Sequence, residues 1–161
     1  MGGEMIIDRW IEKLGNDNPI SAEEKEKLVA ELQTDYRDEI RLKRMLTAEA
    51  EHLPYPHLTE AALKLAEDKQ KVADTIRDLI MGLDGSVELE PGDNLSVEAT
   101  GDFTEILKLE NEIGERLVEH ANLAEDNGLT EMAQTLLKLK DEHYTHQERI
   151  EALIMKTNGT L

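Results

Sequence analysis

Acidic residues interrupt an apolar stripe near the start of the chain. Asp35, Glu39 and Glu49 share alternating steps of three and four residues with a set of leucines, the spacing of one helix face. The leucines are Leu28, Leu32, Leu42, Leu46 and Leu53. A buried carboxylate must bind a metal ion or pair with a basic group, because an isolated buried charge is too costly. Since the chain has no cysteine, any metal would be held by carboxylate and imidazole, which favours hard or borderline cations.

Histidines supply the candidate nitrogen ligands. His143 and His146 are three residues apart and could bind a borderline metal as a surface pair, but we interpret residues 143–146 as a partly exposed polar stretch of helix. Glu49 and His52 have the Glu-x-x-His spacing, but they fall at a predicted helix end, and we interpret the match as coincidence. His120 is predicted to bond backbone or water near a helix end, or to form a small polar layer with Glu49.

Four long helices are predicted to carry these residues. They run from a capping box at Ser21 to Leu53, from Thr59 to Met81, from a second capping box at Asp102 to Asn127-Gly128, and from about Thr130 to Met155. Residues 84–101 have no helical period and predict a long connection. A short helix is predicted at residues 5–14, with Trp10 on an apolar face that would pack on the bundle or on a second subunit. We therefore divide the chain into an N-terminal helical arm, residues 1–20, and a bundle, residues 21–161.

The second and fourth predicted helices are similar in sequence. Residues 64–68 correspond to residues 138–142 at an offset of 74, and residues 79–81 correspond to 153–155 at the same offset. At an offset of 71, Glu39 corresponds to Glu110. Two helical hairpins joined by one long crossover describe a four-helix bundle with a pseudo-two-fold axis.

The chain resembles the ferritin-like superfamily, especially its bacterioferritin and rubrerythrin branch. The residues that carry the resemblance are Glu110 and the stretch Asn127-Gly128-Leu129-Thr130-Glu131-Met132-Ala133, which leads to Asp141-Glu142. The resemblance covers about residues 21–157. It implies an all-α fold, an up-down-down-up bundle of two antiparallel hairpins with a long crossover, to which the short N-terminal helix is added.

The resemblance also implies a dimetal site, with one Glu on each of two helices and Glu-x-x-His on each of the other two. Carried over to this sequence, its carboxylates are Glu39, Asp68, Glu110 and Glu142. Lys71 and Thr145 stand where the family has its histidines, and an ammonium has no lone pair to donate to a metal. Lys71 would instead pair with the carboxylates. His146, four residues after Glu142, is the remaining candidate nitrogen ligand.

Two functions follow from this pattern. The main interpretation is a divergent ferritin-like protein with a degenerate dimetal site and no cofactor, acting as a non-catalytic module that oligomerises or binds. The alternative is an iron- or manganese-binding protein with oxidase, peroxidase or storage activity at an atypical site. A third interpretation is a helical interaction domain for a basic protein partner.

Charge and composition exclude several other classes. The 161 residues include 18 Lys and Arg against 36 Asp and Glu, a net charge of −18, so we expect no nucleic-acid binding. No apolar run approaches the roughly 20 residues that span a bilayer, and the N-terminus lacks the basic and apolar segments of a signal peptide. We expect a cytoplasmic protein that does not contact membranes and forms a homo-oligomer such as a dimer.

Overall fold

The computed structural model describes residues 20–89 and 97–159. They form four helices, α1 (Ala22–Ala50), α2 (Pro56–Gly82), α3 (Thr104–Asp126) and α4 (Thr130–Gly159), and these two ranges contain no strand. The predicted all-α fold is therefore confirmed. The predicted helix at residues 5–14 lies outside the described residues, as does almost all of the predicted N-terminal arm.

Local sequence signals account for where the helices begin and end. The Ser21 hydroxyl accepts a hydrogen bond from the Glu24 N–H at 3.1 Å, as the first capping box predicts. The capping box predicted at Asp102 is wrong about the donor. A capping box would use the Glu105 N–H, but the Asp102 carboxylate accepts a hydrogen bond from the Thr104 N–H at 2.9 Å. After α3, Gly128 adopts a φ of +77°, the left-handed conformation that glycine allows at a helix C-terminus.

Short connections arrange the helices as two antiparallel hairpins. Residues 51–55 join α1 to α2, residues 127–129 join α3 to α4, and the long crossover lies between the hairpins. The hairpins pack on each other through α1 against α3 and α2 against α4. Leu, Ile, Ala and Val supply nearly all of the buried apolar core, and each fully buried Leu or Ile contributes about 1.5–3 kcal/mol.

Glu49 anchors the end of the crossover to the end of α1. Its buried carboxylate accepts hydrogen bonds from the Thr100 N–H at 2.6 Å and the Gly101 N–H at 3.1 Å. The predicted polar layer of Glu49 with His120 is wrong, because the crossover uses Glu49 and His120 lies against Asp35. The hydrogen bonds from Thr100 and Gly101 to Glu49 hold the end of the crossover against α1, directly before α3 begins.

None of the helices in the described ranges has both the length and the hydropathy needed to cross a membrane.

Candidate functional site

Five polar side chains lie together in the interior of the bundle, and we call them the core cluster. They are Glu39 of α1, Lys69 of α2, Glu110 of α3, and His143 and His146 of α4. His146 is 5% exposed, and the other four are fully buried. Every helix of the bundle therefore contributes to one buried polar group.

Helical spacing places the cluster in the core. On α2, Lys69 and Val72 are flanked by the buried Leu65 and Ile76; on α4, the two histidines are flanked in the same way, by Leu139 and Ile150. Steps of three and four residues put all of these positions on the inward face. Because the apolar residues on the same helix faces are buried, Lys69 and His143 are buried with them.

The cluster is connected by ion pairs. The Lys69 ammonium pairs with Glu110 Oε1 and lies 3.8 Å from Glu39 Oε2. His143 contacts Glu39 Oε1 through Nε2, and its Nδ1 lies 2.7 Å from Glu110 Oε1. His146 Nδ1 lies 3.6 Å from the same Glu110 oxygen. Each carboxylate is therefore next to both Lys69 and His143.

These contacts set the protonation of the cluster. Burial alone would lower the pKa of His143, but the Glu39 charge and hydrogen bonding to Glu110 and Glu39 outweigh burial and raise it to about 9. Burial alone would raise the pKa of Glu110, but its contacts with both histidines and the charge of Lys69 hold that pKa well below the usual range. With two carboxylates, one ammonium and a protonated His143 imidazole, the formal charges of these four groups balance.

The structure brings together only some of the residues predicted as metal ligands. Glu39, Glu110 and His146 lie in the core cluster. Asp68 instead pairs with Arg149 at 2.7 Å on the outer side of α2 and α4. Glu142 is only half-buried and lies outside the cluster. As metal ligands, these five residues remain predictions.

The predicted role of Lys71 as the lysine of the core is wrong. Lys71 has a side chain 78% exposed and lies 3.8 Å from Asp68, while Lys69 occupies the interior. Thr145 is also exposed. The expectation that His143 and His146 are partly exposed is wrong as well, since both are buried. On α2 and α4 the inward face is thus shifted by one residue from the acidic positions that the resemblance selected.

A signal for the missed residues was present in the sequence. Lys69 and His143 are 74 residues apart, the offset of the proposed repeat, and both continue a three-four apolar spacing. That spacing marks them as inward positions even though their side chains are polar.

A two-metal centre does not fit the core cluster. On the inward face of α2, Lys69 provides an ammonium and Val72 an aliphatic group, neither of which is a metal ligand. In the part of the chain that the structure covers, no three His, Asp or Glu side chains are arranged to hold a metal ion. Nevertheless, Glu39 Oε2, Glu110 Oε2 and His146 Nδ1 are buried without a hydrogen bond.

A second polar group, which we call the α1–α3 cluster, joins those two helices. It consists of Glu31, Asp35 and Asp38 of α1 with Arg116 and His120 of α3. Arg116 lies 3.0 Å from Asp35 and 2.6 Å from Asp38. Burial raises the pKa of Asp35, and its contacts with His120 and Arg116 offset that effect only in part. Helical spacing in the sequence predicts Asp35 on the inward stripe, but it does not identify Arg116 as the partner of Asp35.

Comparison with known proteins identifies the fold. No family model and no curated protein sequence matches the chain. The crystal structure of an archaeal Dps homologue from Halobacterium salinarum matches with a TM-score of 0.71 and 21% identity over 82% of this chain and 81% of that one. A protein from Xanthomonas campestris pv. campestris matches with a TM-score of 0.60 and 20% identity over 85% of this chain and 92% of that one. Because Dps proteins are ferritin-like bundles, the fold of this chain is ferritin-like, as the sequence resemblance predicted.

Proposed function

We propose that this ferritin-like bundle is a non-catalytic module that acts by oligomerising or binding, and that its core cluster is a permanent ion-pair network in place of a dimetal centre. The observation that carries the proposal is the position of Lys69, whose fully buried ammonium pairs with Glu110 and faces Glu39. Those two carboxylates would otherwise repel each other and require an added cation.

Charge balance explains why the network needs no metal ion. The positive charges of Lys69 and His143 match the negative charges of Glu39 and Glu110. A divalent ion would have to displace the His143 proton and would still leave Lys69 with an uncompensated charge in a fully buried site. Such a charge is costly in the interior of a protein.

The binding part of the proposal concerns the outside of the bundle. The described residues include six large apolar side chains that are exposed, Tyr55, Leu63, Met81, Leu137, Tyr144 and Met155. We include in the proposal that the chain forms a homo-oligomer, such as a dimer, in the cytoplasm. A basic protein partner would complement the net charge of −18.

A second candidate function is iron or manganese binding, with oxidase, peroxidase or storage activity. It is favoured by the buried oxygens of Glu39 and Glu110 and the His146 nitrogen that lack hydrogen bonds. Glu39, Glu110, His143 and His146 would then hold one ion, once His143 gave up its proton and Lys69 its present contacts. Iron bound there would supply oxidation by dioxygen.

Metal loading separates the two candidates. The full chain is incubated anaerobically with ferrous iron or manganese, desalted, analysed for metal content and then tested for oxygen uptake. The ion-pair network predicts no metal in the core cluster and no oxygen uptake. About one ion per chain that is retained by the unmodified protein and lost in His146→Gln would instead establish the second candidate. If the unmodified protein and His146→Gln retain the same amount of metal, that metal lies outside the core cluster and does not support the second candidate.

A further inference from the structure

The outer face of α4 carries a stripe of exposed apolar side chains. Leu137, Tyr144 and Met155 are 45%, 61% and 73% exposed. They are 7 and 11 residues apart in the sequence. Because each residue turns a helix by about 100°, the three side chains lie within about 20° of one another around α4. Exposed apolar side chains that are aligned in this way favour contact with another molecule.

A groove lies beside this stripe, between α3 and α4. It has a volume of about 310 Å³, and its lining includes Gly114 and Val118 of α3 and Tyr144 and Gln147 of α4. A closed cavity of about 150 Å³ is enough to hold a benzene ring. The groove therefore has room for a large side chain from a helix that packs against α4.

The charges on this face of α4 have opposite signs on the two sides of Tyr144. Lys140 lies four residues before Tyr144 and Glu148 lies four residues after it, a spacing that keeps all three on one face. The Lys140 side chain is 43% exposed, and Glu148 is exposed. A uniformly basic partner would be repelled by Lys140. A second, antiparallel copy of α4 would instead place each Lys140 opposite a Glu148.

We propose that a second copy of this chain docks on the outer face of α4, with the two α4 helices antiparallel and a two-fold axis at Tyr144. In such an isologous interface every contact occurs twice. Lys140 of each copy faces Glu148 of the other, and the two Tyr144 side chains meet beside the grooves. In the same register Asp141 faces the uncharged Gln147, so like charges do not oppose each other at these positions. The proposal rests on the proposed function, because it names the surface through which the chain self-assembles.

Charge reversal tests the interface on the full chain, with the dissociation constant of the dimer measured by sedimentation equilibrium. Lys140→Glu and Glu148→Lys each place like charges opposite each other twice. We expect either change to raise the dissociation constant at least about 10-fold. The double variant exchanges the two signs and should recover dimerisation. An equimolar mixture of the two single variants should form a heterodimer, because one chain then carries acids at both positions and the other carries bases.

Lys138→Glu is the matched control. It makes the same change of charge at an exposed position of α4, but one residue, and therefore about 100°, away from Leu137. Its dissociation constant should equal that of the unmodified protein. The interface is overturned, and the proposed oligomer stands on another surface, if the unmodified chain self-assembles and both single variants do so equally well. A weakening by Lys138→Glu as large as that by Lys140→Glu would also overturn it. A monomeric unmodified chain removes both the interface and the self-assembly in the proposed function.

Discussion

Lys69 carries its charge into a position where no part of the side chain contacts water. The side chain is stable there because its ammonium pairs with Glu110 and lies 3.8 Å from Glu39. Burying an ion pair is close to neutral in free energy, but removing one partner leaves an uncompensated buried charge.

Lys69→Met keeps the approximate length of the side chain and removes its charge. We expect the free energy of unfolding, measured with urea, to fall by about 3–5 kcal/mol, because Glu39 and Glu110 lose their shared cation. Lys71→Met is the matched control, since that side chain is 78% exposed, and it should change stability by less than about 0.5 kcal/mol. Equal stability of the two variants would contradict the ion-pair network.

His143 should make stability depend on alkaline pH. Its pKa is raised from 6.5 to about 9, so the folded protein holds this proton more tightly than the unfolded chain. The resulting stabilisation is complete below pH 6.5 and is lost as pH rises through about 9. Melting temperatures measured from pH 6 to 10 should therefore fall over this interval, less steeply in His143→Gln. His57→Gln is the control and should show the same dependence of melting temperature on pH as the unmodified protein. If the melting temperature of His143→Gln falls as steeply as that of the unmodified protein, His143 is not the group responsible.

At the scale of single residues, the sequence predicted the acids of the core better than its cation. Glu39 and Glu110 were selected through the family resemblance, and His146 was selected by its spacing from Glu142; all three lie in the core cluster. Lys69 was missed because a lysine at a single inward position cannot be told from a surface lysine by its type alone.

At the scale of the helix, the predicted elements closely match α1 to α4, because caps, apolar spacing and glycines all indicate the same boundaries. However, the predicted inward faces of α2 and α4 are each off by one residue from the observed ones. Asp68 and Glu142 were preferred for their chemistry, although each directly precedes the buried residue. One residue turns a helix by about 100°, so this error exchanges interior side chains for exterior ones.

The Glu49 carboxylate should stabilise the junction between the crossover and α3. In Glu49→Ala, the Thr100 and Gly101 N–H groups lose their acceptor. We therefore expect the free energy of unfolding to fall by about 1–3 kcal/mol. Hydrogen exchange at those two amides should also accelerate. Glu51→Ala is the control, because Glu51 is exposed. Unchanged exchange at both amides in Glu49→Ala would refute this role.

At the scale of the whole molecule, the ferritin-like fold contains two polar clusters with different charge balance. The core cluster joins all four helices and is neutral, whereas the α1–α3 cluster retains negative charge. The position of the core cluster could be predicted approximately from the sequence. The second depends on the packing of α1 against α3, which brings Arg116 and His120 to Asp35 from 81 and 85 residues away.

The proposed oligomer can be tested by light scattering coupled to size-exclusion chromatography. We expect a mass that is a multiple of 18.2 kDa, because exposed apolar side chains favour a covered surface. Tyr144→Glu, on the outer face of α4, should reduce the mass if that face is the contact, whereas Glu115→Gln, an exposed change on α3, should not. A monomer for the unmodified chain would remove self-assembly from the proposed function.

The most direct test of the central claim is whether ferrous iron stabilises the core cluster. The measurement is anaerobic thermal unfolding of the unmodified protein and of His146→Gln, each with and without ferrous iron. A charge-balanced core predicts the same melting temperature in both conditions. A rise in melting temperature with iron that occurs in the unmodified protein and is absent in His146→Gln would show that the core cluster binds metal, and would contradict the account.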